Sequence, residues 1–323
     1  MKGIKVWLLT AVVLMTGGVA LSAIGLSRGA TWNMRFDLKN FKFVTGSEDY
    51  IDETVDVDEF NKLVLKTNTV DVNIIKGDKY SVSYHIPKDQ KPDVSVNART
   101  LVVSTEETEG FQLFNFGFFF DHDDNPYINI TVPDSMDEKI IAVATSTGDV
   151  TISGLTIDGS VQTSTGDIKV SDTKMGDMTF QVSTGDITIN KCTSESIETK
   201  ASTGDVKITD STCKGRYYSK TSTGDVFVSG SELGSFVLEG STSDVDVNNT
   251  RIDNVKISTS TGDVSMNLRG NEKDYNLDIK TGTGDIEIGN AEYEDRYTRD
   301  TDGNNSIVIT TSTGDVKIDF SKQ

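Results

Sequence analysis

Apolar and polar residues alternate along most of the chain after about residue 60, and this alternation is the main sequence signal of the fold. Ile141 and Val143 precede the stretch TSTGDV that begins at Thr145, and Val150 and Ile152 continue the alternation after it. A period of two residues is typical of strands that bury one face and expose the other. The pattern therefore predicts an all-β fold.

The stretch TSTGDV, or a close variant, returns about every nineteenth residue, and its glycine marks a fixed position in each copy. Apolar residues lie an odd number of positions before this glycine and an even number after it, so the alternation breaks at the motif. The Gly-Asp step is therefore predicted to be a corner, where glycine allows positive φ and aspartate can accept backbone N–H bonds. The motif position is held by Gly148, Gly166, Gly185, Gly204, Gly224, Ser243, Gly262, Gly284 and Gly314.

The repeat predicts a single-stranded parallel β-solenoid (a β-helix) with coils of about 19 residues. A weaker apolar position follows the motif glycine by seven or nine residues, which gives each unit about three short inward faces. Stacking such units at ~4.8 Å builds a continuous core from pieces that could not fold alone. One kind of corner recurs once per unit, and this favours a solenoid over a meander of antiparallel hairpins.

The regular solenoid is predicted over 141–323, with a polar loop inserted over 290–306. Degenerate coils are predicted over 60–140, because the same apolar pattern returns around Val70, which holds the glycine position. Val70 precedes Gly148 by 78 residues, which is close to four periods. The solenoid is therefore expected to begin near residue 60.

A phenylalanine-rich insertion interrupts the degenerate coils over 111–126 and contains the stretch FQLFNFGFFF. An open solenoid end needs a cover, so the insertion is one candidate for a cap. An exposed apolar patch of this size also marks contact with a membrane or a partner. The sequence leaves both interpretations open.

The N-terminus predicts one transmembrane helix within residues 1–28, followed by a juxtamembrane linker over 29–59. The run Val6–Leu26 carries no charge, and its 21 residues span roughly 30 Å as a helix. A cleaved signal peptide is the alternative, but its apolar core is usually shorter. Aromatic and basic residues over 32–43 fit either an interfacial belt or an edge strand. Lys2 and Lys5 before the apolar run favour a cytoplasmic N-terminus, whereas the basic residues over 28–42 count the other way. The short basic N-tail favours export, so the repeats are expected outside the cytoplasm.

Charge and cysteine content limit which partners the chain can bind and which cysteine chemistry it can have. The formal net charge of −19 disfavours nucleic acid, which proteins bind by neutralising phosphates with Lys and Arg. Two cysteines, Cys192 and Cys213, are too few for a disulfide framework and form no CxxC metal pattern. Both are expected to be small buried residues of one core column, in which stacked neighbours could approach disulfide distance.

The repeated aspartates are the most prominent candidate for chemistry. Stacked at ~4.8 Å, two such charges repel by about 0.9 kcal/mol at ε ≈ 80 and about 3.5 kcal/mol at ε ≈ 20. Hydrogen bonds or bound cations must offset this repulsion. The motif lacks the double glycine and the nine-residue period of calcium-binding repeats, so a structural turn is preferred and no metal site is assigned. The column comprises Asp149, Asp167, Asp186, Asp205, Asp225, Asp244, Asp263, Asp285 and Asp315.

Enzymatic activity is not predicted, and no catalytic or cofactor-binding residue is assigned. A polysaccharide-cleaving β-helix needs a unique pair of carboxylates, whereas the acidic residues here are the most repeated ones. His85 and His122 are the only histidines, and neither has the spacing of a catalytic triad or a metal site. The Thr-Ser-Thr stretches also fail to predict an ice-binding face, because the first threonine has the parity of inward positions.

The STGDV or STGDI motif, recurring behind one N-terminal apolar segment, resembles a bacterial β-strand-repeat family of unknown function. Its members are usually labelled "putative adhesin" proteins and include LiaG-like envelope proteins. The resemblance covers residues 60–323 and implies a cell-envelope location, with a link to envelope stress in some members. The expected function is therefore structural or adhesin-like interaction, with the membrane and an envelope protein or polysaccharide as partners. Two alternatives are a polysaccharide-acting enzyme and a stress sensor that binds through the phenylalanine-rich loop.

Overall fold

The computed structural model describes residues 34–37, 42–45, 50–105, 125–133 and 139–321. The predicted anchor over 1–28, and His122 with nearly all of the phenylalanine-rich insertion, lie outside the described residues. Within the described ranges, no helix is long and apolar enough to cross a membrane.

The described residues form 28 β-strands and two short 3₁₀ helices, Lys88–Gln90 and Glu272–Asp274, which confirms the predicted all-β class. The strands are β1 Met34–Asp37, β2 Lys42–Thr45, β3 Tyr50–Asp56, β4 Lys62–Thr69, β5 Asp71–Gly77, β6 Ser81–Pro87, β7 Asp93–Asn97, β8 Thr100–Ser104, β9 Tyr127–Pro133, β10 Lys139–Thr147, β11 Val150–Ser153, β12 Thr156–Thr165, β13 Ile168–Ser171, β14 Lys174–Thr184, β15 Ile187–Asn190, β16 Thr193–Thr203, β17 Val206–Thr209, β18 Thr212–Thr223, β19 Val226–Ser229, β20 Glu232–Thr242, β21 Val245–Thr261, β22 Val264–Arg269, β23 Tyr275–Lys280, β24 Ile286–Ile288, β25 Ala291–Tyr293, β26 Arg296–Arg299, β27 Asn305–Thr313 and β28 Val316–Ser321.

Strands β1 and β2 pair with each other as an antiparallel hairpin and belong to the smaller of two compact units of the chain. The larger unit holds residues 51–86, 91–106 and 125–323. Strand β3 pairs with β6, so part of the segment predicted as a linker over 29–59 contributes a strand.

Each regular coil of the larger unit contains one short and one long strand. Strand β11 is followed by a turn and then by β12, and the motif corner leads into the next short strand, β13. Equivalent strands of successive coils pair in parallel, as in Val150↔Ile168 and Ile157↔Met175. The short strands form one sheet and the long strands a second, named below the short-strand sheet and the long-strand sheet. This stacking confirms the predicted parallel solenoid.

The three predicted inward faces are carried by only two strands, because the long strand contains a bulge. In β14 the buried Met175 and Met178 lie three residues apart, which changes the inward parity within one strand. The register shifts at the same level between Ser194 and Ile197 and between Cys213 and Arg216. The bulge bends the long strand around the core.

The prediction that the two cysteines share a core column is wrong. Cys213 pairs with Ser194 in the long-strand sheet. Cys192 instead lies in the turn, where its N–H donates to Ser211 Oγ. Both cysteines are free and buried. The apolar position seven or nine residues after the glycine therefore comprises two separate columns.

Coil order in space differs from coil order in the chain at both ends of the larger unit. The coil β4–β5 lies between β8–β9 and β10–β11, and the coil β27–β28 lies between β21–β22 and β23–β24. The described residues within 60–140 therefore supply two parallel coils, and β6 and β7 pair antiparallel with the outer one.

The predicted loop over 290–306 also contains strands rather than only irregular structure. Strand β25 pairs antiparallel with β24, and β26 pairs antiparallel with β23. These strands satisfy backbone groups that the last coil would otherwise expose at its edge. Antiparallel strands thus cover the outermost described coil at each end.

Candidate functional site

The corners that carry glycine leave no room for a side chain at that position. The motif glycines have φ between +132° and +144°. A Cβ on Gly204 would lie 2.0 Å from the carbonyl oxygen of Gly185 on the adjoining coil. Since this backbone atom cannot move aside without separating the coils, conformation and sterics both require glycine there.

In the degenerate copy at Ser243, the glycine and the hydroxyl residue of the corner have changed places. Gly240 takes the inward position that Thr163 and Thr259 hold in regular copies. The Ser243 side chain fills the space and lies 2.6 Å from Thr221 Oγ1, oxygen to oxygen. A buried hydroxyl is thus retained inside the corner although the glycine is lost.

The aspartates of the corner form a continuous hydrogen-bonded ladder. Each aspartate after Asp71, the first of the ladder, donates its backbone N–H to Oδ1 of the aspartate on the adjoining coil, over nitrogen–oxygen distances of 2.8–2.9 Å. Hydrogen bonds of this kind stabilise the ionised carboxylate and offset the repulsion between stacked charges. In spatial order the ladder joins Asp71, Asp149, Asp167, Asp186, Asp205, Asp225, Asp244, Asp263, Asp315 and Asp285.

One lysine adds direct charge compensation to this ladder. Lys169 Nζ lies 3.3 Å from Asp149 Oδ2 and 3.1 Å from Asp167 Oδ2. Burial raises the pKa of Asp167, but the backbone N–H of Asp186 and Lys169 together outweigh it, so that pKa lies below its usual value. Among the described residues, no group of three or more His, Cys, Asp or Glu side chains could hold a metal ion.

A second ladder, which the sequence reasoning missed, stabilises the turn between short and long strands. Cys192 N–H donates to Ser211 Oγ and Ser211 N–H donates to Ser231 Oγ, at 3.0 and 3.1 Å. Each serine hydroxyl in turn donates to a carbonyl two residues earlier, as Ser211 Oγ does to Thr209 at 2.7 Å. The signal was available as a run of small or hydroxyl residues seven positions after five successive motif positions, namely Thr173, Cys192, Ser211, Ser231 and Thr250.

His85 does not belong to a catalytic arrangement with the repeated carboxylates. Its Nδ1 lies 2.8 Å from Asp52 Oδ1, and its ring stacks on Tyr127 with centroids 5.8 Å apart. Beside this pair, Lys91 and then the hydroxyl of Tyr84 lower the pKa of Glu53 by hydrogen bonding. These contacts fasten β3 to β6.

On the outward face of the short-strand sheet, one row of residues paired across successive strands contains a single aromatic residue, Phe227. Every other residue paired along this row in the described coils is polar or charged, whereas Phe227 is aromatic and only partly buried. Phe227 was not predicted as a site residue, because the repeat pattern is carried by the inward positions and Phe227 faces outward. In spatial order the row runs Asn129, Asn73, Thr151, Lys169, Thr188, Lys207, Phe227, Asp246, Ser265, Lys317 and Glu287.

A groove of about 410 Å³ surrounds this phenylalanine. Lys207 and Asp246 are its paired neighbours on the two adjoining strands. The aspartate ladder borders the groove on the corner side through Asp186 and Asp205. The remaining lining residues are Thr188, Val228, Ser229 and Asn248. The groove therefore combines one aromatic ring with donors and acceptors from four consecutive coils.

The family model for Toastrack DUF4097 matches residues 60–319, which comprise most of the chain. The chain belongs to the Toastrack DUF4097 family. This membership confirms the resemblance to a "putative adhesin" family of unknown function. The matched residues run from β4 to β28 and so include the aspartate ladder, the second ladder at the turn and the Phe227 groove.

Solved structures similar to this Toastrack chain share little sequence with it. A "putative adhesin" from Bacteroides fragilis has 15% identity and a TM-score of 0.47, over 84% of this chain and 98% of that one. A "putative lipid binding protein" from Parabacteroides distasonis has 13% identity and a TM-score of 0.48, over 83% and 97%. A "putative adhesin" from the same species has 13% identity and a TM-score of 0.42, over 84% and 98%. Among the curated proteins, none matches the chain.

Proposed function

We propose that this Toastrack chain is an adhesin-like interaction protein of the bacterial cell envelope. Its solenoid presents two outward sheet faces to a partner, and residues 1–28 anchor it in the cytoplasmic membrane. The observation that carries the proposal is that the repeated residues make their contacts inside the corner. The motif glycine, aspartate and inward threonine are all engaged in the corner, so contact with a partner falls to the outward rows.

A binding role accounts for these residues better than a catalytic one. The two ladder carboxylates at the groove, Asp186 and Asp205, are already engaged as acceptors of backbone N–H bonds from the next coil. A glycosidase needs one carboxylic acid free to donate a proton and a second placed opposite it. The proposal therefore treats the groove as a recognition surface and the chain as a non-enzyme.

The proposed location and partner rest on the sequence. The uncharged run Val6–Leu26 is long enough to anchor the chain, and an exported solenoid would meet envelope proteins and polysaccharides. The net charge of −19 makes nucleic acid an unsuitable partner. A link to envelope stress rests on the family resemblance alone.

Co-sedimentation with isolated cell-wall and membrane fractions tests the interaction function. The full chain in detergent micelles should be retained by one of these fractions in a saturable way. The same chain denatured in urea and diluted serves as the control for non-specific retention. Retention that does not saturate, or that equals the control, would refute an adhesin-like role.

A further inference from the structure

We propose that the groove around Phe227 binds a neutral, extended polysaccharide segment. This inference deepens the proposed interaction function and rests on it, since it names the ligand class of the groove. It starts from the replacement of a polar residue by an aromatic one in the outward row of a polar sheet face.

The aromatic ring supplies the apolar contact that sugar recognition needs. One face of a pyranose ring presents several C–H groups, and these pack against the negative face of an aromatic ring. Phe227 is partly buried between its strand neighbours, so its ring is held in place by the sheet. A lone aromatic side chain of this kind adds hydrophobic contact without creating a large apolar patch.

The surrounding side chains match the hydroxyl groups of a sugar. A hydroxyl both donates and accepts hydrogen bonds, and the groove offers both functions. Asp246 accepts, Lys207 donates, and Ser229 and Asn248 can do either. These groups lie on the same strand as Phe227 or on the strands next to it.

The shape of the groove selects an extended chain. Its lining comes from β15, β17, β19 and β21, so it covers three strand spacings, or roughly 14 Å, along the stacked coils. A β-1,4-linked glycan is a straight ribbon whose residues are about as long as one strand spacing of ~4.8 Å. An α-1,4-linked glucan coils and would leave the sheet face after a few residues.

The charges around the groove disfavour an anionic ligand. Asp186, Asp205 and Asp246 line it together with a single cation, Lys207. Anionic glycans such as polyuronates would be repelled by this excess of carboxylates and by the net charge of the chain. Hydroxyl and acetamido groups carry no such penalty.

Titration calorimetry on the full chain in detergent micelles tests the inference with three hexasaccharides. The probes are β-1,4-linked glucose, β-1,4-linked N-acetylglucosamine and α-1,4-linked glucose. At least one β-linked hexasaccharide should bind, and more tightly than the α-linked one. Phe227→Ala should weaken this binding about tenfold or more, whereas Phe227→Tyr should keep it within about threefold.

Tyr218→Ala is the matched control, because Tyr218 is an outward aromatic residue of the same coil on the opposite sheet. It should leave hexasaccharide binding unchanged. The inference is overturned if the folded chain binds neither β-linked probe, if Phe227→Ala binds as the unchanged chain does, or if the α-linked probe binds equally well. Melting curves of each variant establish that it is folded.

Failure of this inference is distinguishable from failure of the proposed function. If glycans do not bind but envelope fractions still retain the chain, the interaction function stands and its ligand is not a neutral glycan. If hexasaccharides bind but no envelope fraction retains the chain, the groove is a glycan site and the envelope role is lost.

Discussion

Replacing one motif glycine by alanine tests whether the corner depends on close backbone contact. Gly204 has φ +132°, and an added Cβ would lie 2.0 Å from the carbonyl oxygen and 2.6 Å from the carbonyl carbon of Gly185. Contacts this short cannot persist, so Gly204→Ala must rotate the corner or separate two coils. Either movement disturbs the hydrogen bonds that flank it.

The magnitude follows from the groups that are disturbed. A non-glycine residue at this φ costs about 1–3 kcal/mol. The hydrogen bonds from Asp205 N–H to Asp186 Oδ1, at 2.8 Å, and from Gly185 N–H to Thr203 O, at 3.0 Å, are the ones at risk. Each contributes about 0.5–1.5 kcal/mol when made. The free energy of unfolding should therefore fall by about 2–6 kcal/mol, which lowers the melting temperature by roughly 4–12 °C.

Gly289→Ala is the matched control for this variant. Gly289 also has positive φ, at +61°, but nothing lies within 4 Å of the Cβ position. It should cost only the conformational term of about 1–2 kcal/mol, or roughly 2–4 °C. Circular dichroism melting of both variants measures the difference. If Gly204→Ala melts within about 2 °C of Gly289→Ala, the close approach of neighbouring coils does not limit stability.

Three further predictions follow from the ladder and the buried thiols. Asp186→Ala should cost about 0.5–1.5 kcal/mol in denaturant unfolding, because Asp205 N–H loses its acceptor, whereas Asp186→Asn should cost clearly less; equal losses would contradict the ladder. Burial raises the pKa of the Cys192 and Cys213 thiols, so a thiol reagent should modify the folded chain at pH 8 far more slowly than the urea-unfolded chain, and equal rates would contradict the burial. The lowered pKa of Asp167 gives stability that is present above its unfolded pKa of about 3.9 and is lost as pH falls through the folded pKa. Asp167→Asn should therefore flatten the acid limb of stability measured below about pH 4, and an unchanged limb would show that this carboxylate does not contribute.

The regular coils could be predicted from the sequence because two local signals agree there. Inward parity changes at each motif glycine, and only valine or isoleucine follows two residues later, as at Val150 and Ile168. A break in period two can be read without any partner strand. The corner and the inward threonine, buried at Thr163, therefore follow from single-chain patterning.

The ends of the solenoid could not be predicted in the same way. Strand periodicity states which face is buried but not which strand lies alongside, so the placement of β4–β5 next to β10–β11 carries no local signal. The antiparallel strands β25 and β26 were hidden for the same reason inside a polar stretch.

The candidate site was visible in the sequence but lay in positions that inward periodicity ignores. Phe227 stands where the other coils carry residues such as Thr188, Lys207 or Asp246. An alignment of the outward positions of successive coils would have distinguished Phe227 from the polar residues of its row. The hydrogen bonds of the ladder could not be predicted from the sequence. A repeated aspartate does not indicate whether its carboxylate accepts a hydrogen bond from its own coil or from the next one.

Labelling of an introduced cysteine in intact cells tests the central claim, that the solenoid is displayed outside the cytoplasmic membrane. Ser222 is exposed beside the corner, whereas both natural cysteines are buried and should give little background. Cells that produce the Ser222→Cys chain are treated with a membrane-impermeant maleimide before and after lysis, with the unchanged chain as control. The account predicts full labelling of the variant in intact cells. Labelling only after lysis would contradict it.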